Sequence, residues 1–134
     1  MASILKVDEL QGITAAGDIT VTSEGGAATQ SLQQGLAKVF AQINGTGTII
    51  TDISLNVASL TDDGVGEPWV NVTNSFNSAN SYACTGATLP NTDWNDTVTW
   101  NVAGGSSQVR LFTGSDGTQI DLDPVGIAVF GDLA

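Results

Sequence analysis

TQSLQQGLAKVFAQI, Thr29 to Ile43, is the one segment whose apolar residues recur at helical rather than strand spacing. Leu32, Leu36, Val39, Phe40 and Ile43 stand at i, i+4, i+7, i+8 and i+11, the stripe that a 3.6-residue period brings onto one side of a helix. Gln33, Gln34, Lys38 and Gln42 fall on the other side. Ser31-x-x-Gln34 has the form of a capping box, and Asn44-Gly45 is a common helix stop. The spacing therefore predicts one amphipathic α-helix of about four turns, weakened by roughly 1 kcal/mol at Gly35. Such a helix is marginal alone and must dock. Two surfaces are open to it: a sheet of its own chain, or the same helix in other copies. For the second, Leu32, Leu36, Val39 and Ile43 would supply a short oligomer seam near heptad spacing.

Beyond Asn44-Gly-Thr-Gly47 the period changes from 3.6 to 2. Ile49, Thr51, Ile53, Leu55 and Val57 alternate with Ile50, Asp52, Ser54 and Asn56, the pattern of one long half-buried strand. Trp69, Val70 and Val72 begin a second strand after the turn Thr61 to Pro68, and Tyr82–Leu89, Thr97–Val102, Gln108–Thr113 and Gly126–Asp132 read as further strands. Ser115-Asp-Gly-Thr118 is a tight turn between two of them. Upstream, residues 1–28 carry only scattered aliphatics and one alternating run, Asp18 to Ser23. They predict an extended N-terminal arm lying on another part of the fold or on a neighbouring subunit. The expected fold is mainly β: an antiparallel, jelly-roll-like β-sandwich with one N-terminal amphipathic helix, residues 29–134 forming a single globular domain after the arm at 1–28.

The composition fits such a body and excludes several partners. A chain of 134 residues, 41% hydrophobic and 13% charged, has enough apolar material for one core without metal or disulfide support. Three cations, Lys6, Lys38 and Arg110, face fourteen carboxylates, giving a net charge of −11. Nucleic-acid binding needs clustered Lys and Arg, and adhesion to an anionic membrane surface is disfavoured for the same reason; insertion is not expected because no stretch approaches the eighteen apolar residues of a membrane span. The charge also sets identical subunits against one another unless ions or apolar contacts compensate. Cys84 is the sole cysteine and reads as a small buried hydrophobe. The acidic pair in MASILKVDEL argues against a signal peptide, so synthesis in a cytoplasm without export is expected.

The residues offer little chemistry. Histidine is absent, which removes the commonest general base, and the lone Cys has no imidazole to activate it. Asp62, Asp63, Glu67, Asp93 and Asp96 occupy turns where Asp is favoured for local hydrogen bonding. No enzyme and no cofactor is expected. Calcium is the one ion kept in view, because Asn91-x-Asp93-x-Asn95-Asp96, Asp62-Asp63 with Glu67, and Asp121 with Asp123 place oxygen ligands close together without an EF-hand pattern. Of Trp69, Trp94 and Trp100, Trp94 sits in the most polar surroundings. It is the candidate for contact with a glycan, and the alternative function is a carbohydrate-binding module recognising a host surface glycan.

Ile4-Leu-Lys-Val-Asp-x-Leu-Gln-Gly12, Gly17-Asp-Ile-Thr-Val21, Leu32-Gln-Gln-Gly-Leu-Ala-Lys38, Ser54-x-Asn-Val-x-Ser-Leu-Thr-Asp-x-Gly-x-Gly66 and Val129-Phe-Gly-Asp132 together resemble small virion structural proteins of marine tailed bacteriophages, tail-fibre-like or capsid-decoration-like. The resemblance departs at Glu67-Pro68-Trp69, where such proteins commonly carry Asp-Tyr after the second Gly. It implies a non-enzymatic homotrimer located in the virion, exposed as a capsid decoration or as a short fibre or adaptor, with capsid or tail proteins as partners. No site of that group transfers residue by residue.

Overall fold

Val39, Ala41 and Ile43 are fully buried while Phe40 between them is exposed, so this stretch has period 2 and not 3.6. The computed structural model describes residues 4–13, 19–22, 26, 28–88, 96–101 and 105–134. In it Val39–Asn44 is strand β3, and the only helix among the described residues is the single turn α1, Leu32–Gly35. The expected helix over Thr29–Ile43 is thereby corrected. Val39 and Ile43 are β-branched and Phe40 is aromatic, residues that favour a pleated surface, and the pairings that settle the matter are distant in sequence: Val39 lies opposite Val129, and Ile43 opposite Val125.

The chain divides into two units, with the boundary between Leu36 and Ala37, further along than the expected end of the arm. The first unit holds a short antiparallel pair, β1 (Thr20–Thr22) with β2 (Thr29–Ser31), which leads into α1. The Leu32 amide donates to the carbonyl of Ile19 at 2.7 Å. Residues 4–13 have no regular structure, and Ile4, Leu5, Val7, Leu10 and Ile13 are all more than half exposed.

The second unit is mainly β and antiparallel throughout. Its first sheet has the order β4 (Ile50–Leu55), β3, β11 (Val125–Gly131), β7 (Tyr82–Thr88). The second places β6 (Pro68–Val72) between β5 (Val57–Asp62) and β9 (Gln108–Ser115), with β8 (Asp96–Asn101) and the short β10 (Thr118–Gln119) also paired to β9. The inner residues of the central strands form one apolar cluster: Val39, Ala41 and Ile43 from β3, Val125, Ile127 and Val129 from β11, Val70 and Val72 from β6, and Val109 and Leu111 from β9, joined by Phe76 and Leu122. Apart from Ala41, each such side chain is worth roughly 1.5–3 kcal/mol when fully buried.

Two local devices fix the register. Phe40 pairs with Leu55 and Gln42 with Ile53, but Ile43 pairs with Thr51, so Asp52 is an extra residue on β4, a β-bulge. The expected single strand from Ile49 to Val57 stops at Asn56, which has φ +59° and marks the point where the chain leaves the first sheet for the second. Asparagine is one of the few residues that tolerates this left-handed conformation. Its Oδ1 accepts from the Asn74 amide at 2.7 Å, its Nδ2 donates to the Asn74 carbonyl at 3.1 Å, and its own carbonyl accepts from the Thr73 amide.

Candidate functional site

The bulge at Asp52 decides which way the aliphatics of β4 point. In an unbroken strand Ile50 and Ile53 would lie on opposite faces, because successive side chains alternate. With one residue extra, Ile50, Ile53 and Leu55 all lie opposite residues of β3 that face away from the core, namely Asn44, Gln42 and Phe40. Ile50, Ile53 and Leu55 are exposed by 50%, 59% and 55%, and Phe40 by 42%. The expected half-buried strand is therefore inverted: its large side chains face out of the sheet.

The other two strands continue this outer face with small residues, apart from Phe130 near the end of β11. Ala128 lies opposite Phe40 and Gly126 opposite Gln42 on β11, and Thr85 and Ala87 lie beyond them on β7. A high ridge on β3 and β4 thus borders a low trough on β11 and β7. The trough contains a groove of about 230 Å³ lined by Phe40, Gln42, Ala87, Thr88, Pro124 and Gly126. Its floor is held in place by the Thr88 hydroxyl, which donates to the Pro124 carbonyl at 3.0 Å. No charged residue occupies an outward register position on the four strands, although the chain carries a net charge of −11. Such a contiguous, uncharged apolar face marks an interaction surface more often than chance exposure does. β4 also forms an edge of this sheet with no proline among its residues and one carboxylate, Asp52, in the bulge.

The outer face of the second sheet is built on the opposite principle. Arg110 on β9 stands across from Trp69 on β6, with its guanidinium carbon 4.9 Å from the Trp69 ring centre and 4.7 Å from that of Phe112. Its Nη2 meets the Glu67 carboxylate and lies 3.7 Å from Asp63. Gln119 donates to the other Glu67 oxygen at 2.8 Å. Hydrogen bonds from Gln119 and Arg110 together hold the Glu67 carboxyl below the ordinary carboxylate range. Beside this cluster Asn71 donates to Ser59 and Thr61, and Gln108 donates to Asn71. These polar groups answer one another across the strands, and the cluster ties the turn before β6 to the β9–β10 hairpin.

The sequence-derived site residues are dispersed by the fold. Val39 and Ile43 are fully buried in the core of their own chain, Leu36 is 56% exposed, and Leu32 is half-buried in α1. The helical seam of Leu32, Leu36, Val39 and Ile43 is thus corrected: the four share no helix, and two of them serve the sheet core. Trp94 and residues 91–95 of the acidic loop lie outside the described residues. Trp69 has one ring face taken by Arg110, and Trp100 lies on β8 opposite Leu111. Of Asp62, Asp63 and Glu67, the last two both face Arg110 Nη2, whereas Asp62 Oδ1 accepts from the Gly64 amide at 3.2 Å. Asp121 accepts from the Gly66 amide at 2.7 Å. Cys84, on the core side of β7, has its thiol pushed up to about 11 by burial.

The residues that matter on the outer face, Phe40, Ile50, Ile53 and Leu55, were legible as apolar but not as exposed. The only signal was Asp52 interrupting an aliphatic run. No protein family, curated protein or solved structure matches the chain.

Proposed function

We propose that this chain is a non-enzymatic structural component of a bacteriophage virion, a capsid decoration or a short fibre or adaptor. On this reading its two sheets form a jelly-roll-like β-sandwich that associates with copies of itself, and with other virion proteins, through the outer face of the first sheet. The observation that carries the reading is the row Phe40, Ile50, Ile53 and Leu55, uncovered and uncharged on a chain that is otherwise strongly acidic. Burying four such side chains gives an interface its dry centre, and an acidic exterior keeps the remaining surface from associating. The resemblance of Ile4 to Gly12 and of Ser54 to Gly66 to small virion proteins supplies the setting, and a homotrimer is the expected state.

The association is tested by the mass of the full chain in solution, measured by light scattering during gel filtration at about 10–100 µM, which registers micromolar affinities, in physiological salt. An oligomer that dissociates when Ile53 and Leu55 are replaced by Asp supports the reading. A monomer throughout that range removes it.

A further inference from the structure

The chain leaves a second apolar element uncovered. Ile4, Val7, Leu10 and Ile13 recur at every third residue in a segment with no helix or strand, and their exposures are 79%, 55%, 54% and 103%. A period of three lines up one edge of an extended, polyproline-like chain, which rises about 3.1 Å per residue and makes no internal hydrogen bonds.

We infer that this segment, residues 4–13 of one copy, lies across the outer face of the β4-β3-β11-β7 sheet of a neighbouring copy. The inference rests on the proposed self-association and names its two surfaces.

Dimensions and area both fit. Ten extended residues span about 31 Å. Four strands spaced about 4.8 Å apart and roughly seven residues long give a face about 19 by 23 Å, with a diagonal near 30 Å. Ten residues weigh about 1,100 Da and in extended form expose about 1,600 Å². Laying half of that on the face buries about 800 Å² of the segment and up to about 440 Å² of the face, a total at the lower end of what a stable protein interface uses.

The chemistry agrees. The trough beside Phe40 is floored by Gly126 and Ala87, low enough to admit aliphatic side chains. The outward register positions of the face carry no charge, so Lys6, Asp8 and Glu9 of the segment can stay in water. Segment and face are different patches of the same chain, which makes the contact heterologous. Heterologous contacts close into rings when the rotation allows, and a ring of three is the homotrimer expected above.

The test uses full-length chains in a Cys84→Ser background. One chain carries Val7→Cys with a mass tag, and the other carries Ile53→Cys without one. Mixed and mildly oxidised, they are expected to yield mainly the disulfide between tagged and untagged copies. Dominance of the two same-type products would overturn the inference. So would a double Val7→Cys, Ile53→Cys chain that closes its disulfide within one copy and runs as a monomer on a non-reducing gel. In parallel, replacing Ile4, Val7, Leu10 and Ile13 by Ser should weaken self-association by up to about ten-thousandfold, because each of the four aliphatics contributes roughly tenfold when fully buried. If those four replacements leave the oligomer intact while Ile53→Asp disrupts it, the segment is not the occupant but the proposed association stands. If the unmodified chain is monomeric, both fall.

Discussion

Asn56 carries the change of sheet between β4 and β5, and its replacement separates two contributions. Asn56→Gly removes the two side-chain hydrogen bonds to Asn74 but leaves the chain free to hold φ near +59°. Those bonds lie at the surface, so each is taken at the low end of the usual range, about 0.5 kcal/mol, for a loss near 1 kcal/mol. Asn56→Ala loses the same bonds and also forces a Cβ-bearing residue without a compensating polar group into the left-handed region, a further cost of about 1 kcal/mol. Urea unfolding followed by tryptophan fluorescence should therefore rank wild type above Asn56→Gly above Asn56→Ala, the last about 2 kcal/mol less stable. In a domain of this size that lowers the midpoint of thermal unfolding by very roughly 5–15 °C. Equal stability of the Gly and Ala variants would refute the conformational argument, and a loss below about 0.3 kcal/mol in both would refute the role of the Asn74 contacts.

Asp at both 53 and 55 should abolish self-association without lowering the unfolding temperature by more than a few degrees, since both side chains face solvent in the single chain; a large drop would mean that they support the core. Raising sodium chloride from about 0.05 to 0.5 M should strengthen association of the unmodified chain, because screening relieves repulsion between copies of charge −11, and sedimentation at the two salts would read the change. Gly66→Ala should cost at least about 2 kcal/mol in urea unfolding, because φ there is +70° and a Cβ would stand 2.4 Å from the Thr113 carbonyl oxygen; a neutral result would mean that the turn relocates. Burial holds the Cys84 thiol near 11 against a usual 9, so its thiolate fraction at pH 8 is about a hundredfold below that of a free thiol. Ellman's reagent should therefore react much more slowly with the folded protein than with the protein in urea. Folding keeps a proton that the unfolded chain loses above pH 9, and this contribution to stability should fade as the pH rises from 9 toward 11. For Glu67 the sign is opposite. Its carboxyl is lowered by Gln119 and Arg110, so the stabilisation is present above the ordinary carboxylate pKa and is lost on acidification through the folded value, and Glu67→Gln should flatten that acid limb.

Strand positions were legible wherever alternation ran without interruption. Gln108–Ser115, Pro68–Val72 and Val125–Gly131 each place apolar residues at every second position, and the expected strands lie within a residue or two of them. The stretch from Thr29 to Ile43 misled because it satisfies two periods at once. Counting Leu32 and Leu36 with Val39, Phe40 and Ile43 produces a helical stripe, whereas counting Ala41 as apolar produces Val39-x-Ala41-x-Ile43, the core face of a strand. Only partners almost ninety residues away, on β11, choose between them, and local spacing cannot see those partners. The Arg110–Glu67 contact has the same character: the two are 43 residues apart, and nothing adjacent to either marks the other. Asn56 was open to inference, as an asparagine between two apolar runs is a standard tenant of a left-handed corner.

A single inserted residue on β4 decides which face Ile50 joins. Without Asp52 as an extra residue, Ile50 would fall on the core side of β4 while Ile53 and Leu55 stayed outside, and the outer face would lose one end of its ridge. By alternation alone Ile49, Thr51, Ile53, Leu55 and Val57 share one face of a half-buried strand. The bulge and the corner at Asn56 divide that series, sending Ile49 and Val57 to the core margin and Ile53 and Leu55 to solvent. Keeping aliphatics at those outward positions carries a known liability, because an apolar edge strand invites unwanted pairing. A sequence with fourteen carboxylates available and none at an outward register position of β4, β3, β11 or β7 leaves that liability in place on one face while guarding the rest. Such selective omission is what a surface reserved for a partner requires. The Asp replacements at 53 and 55 supply the missing guard, and so test the omission directly.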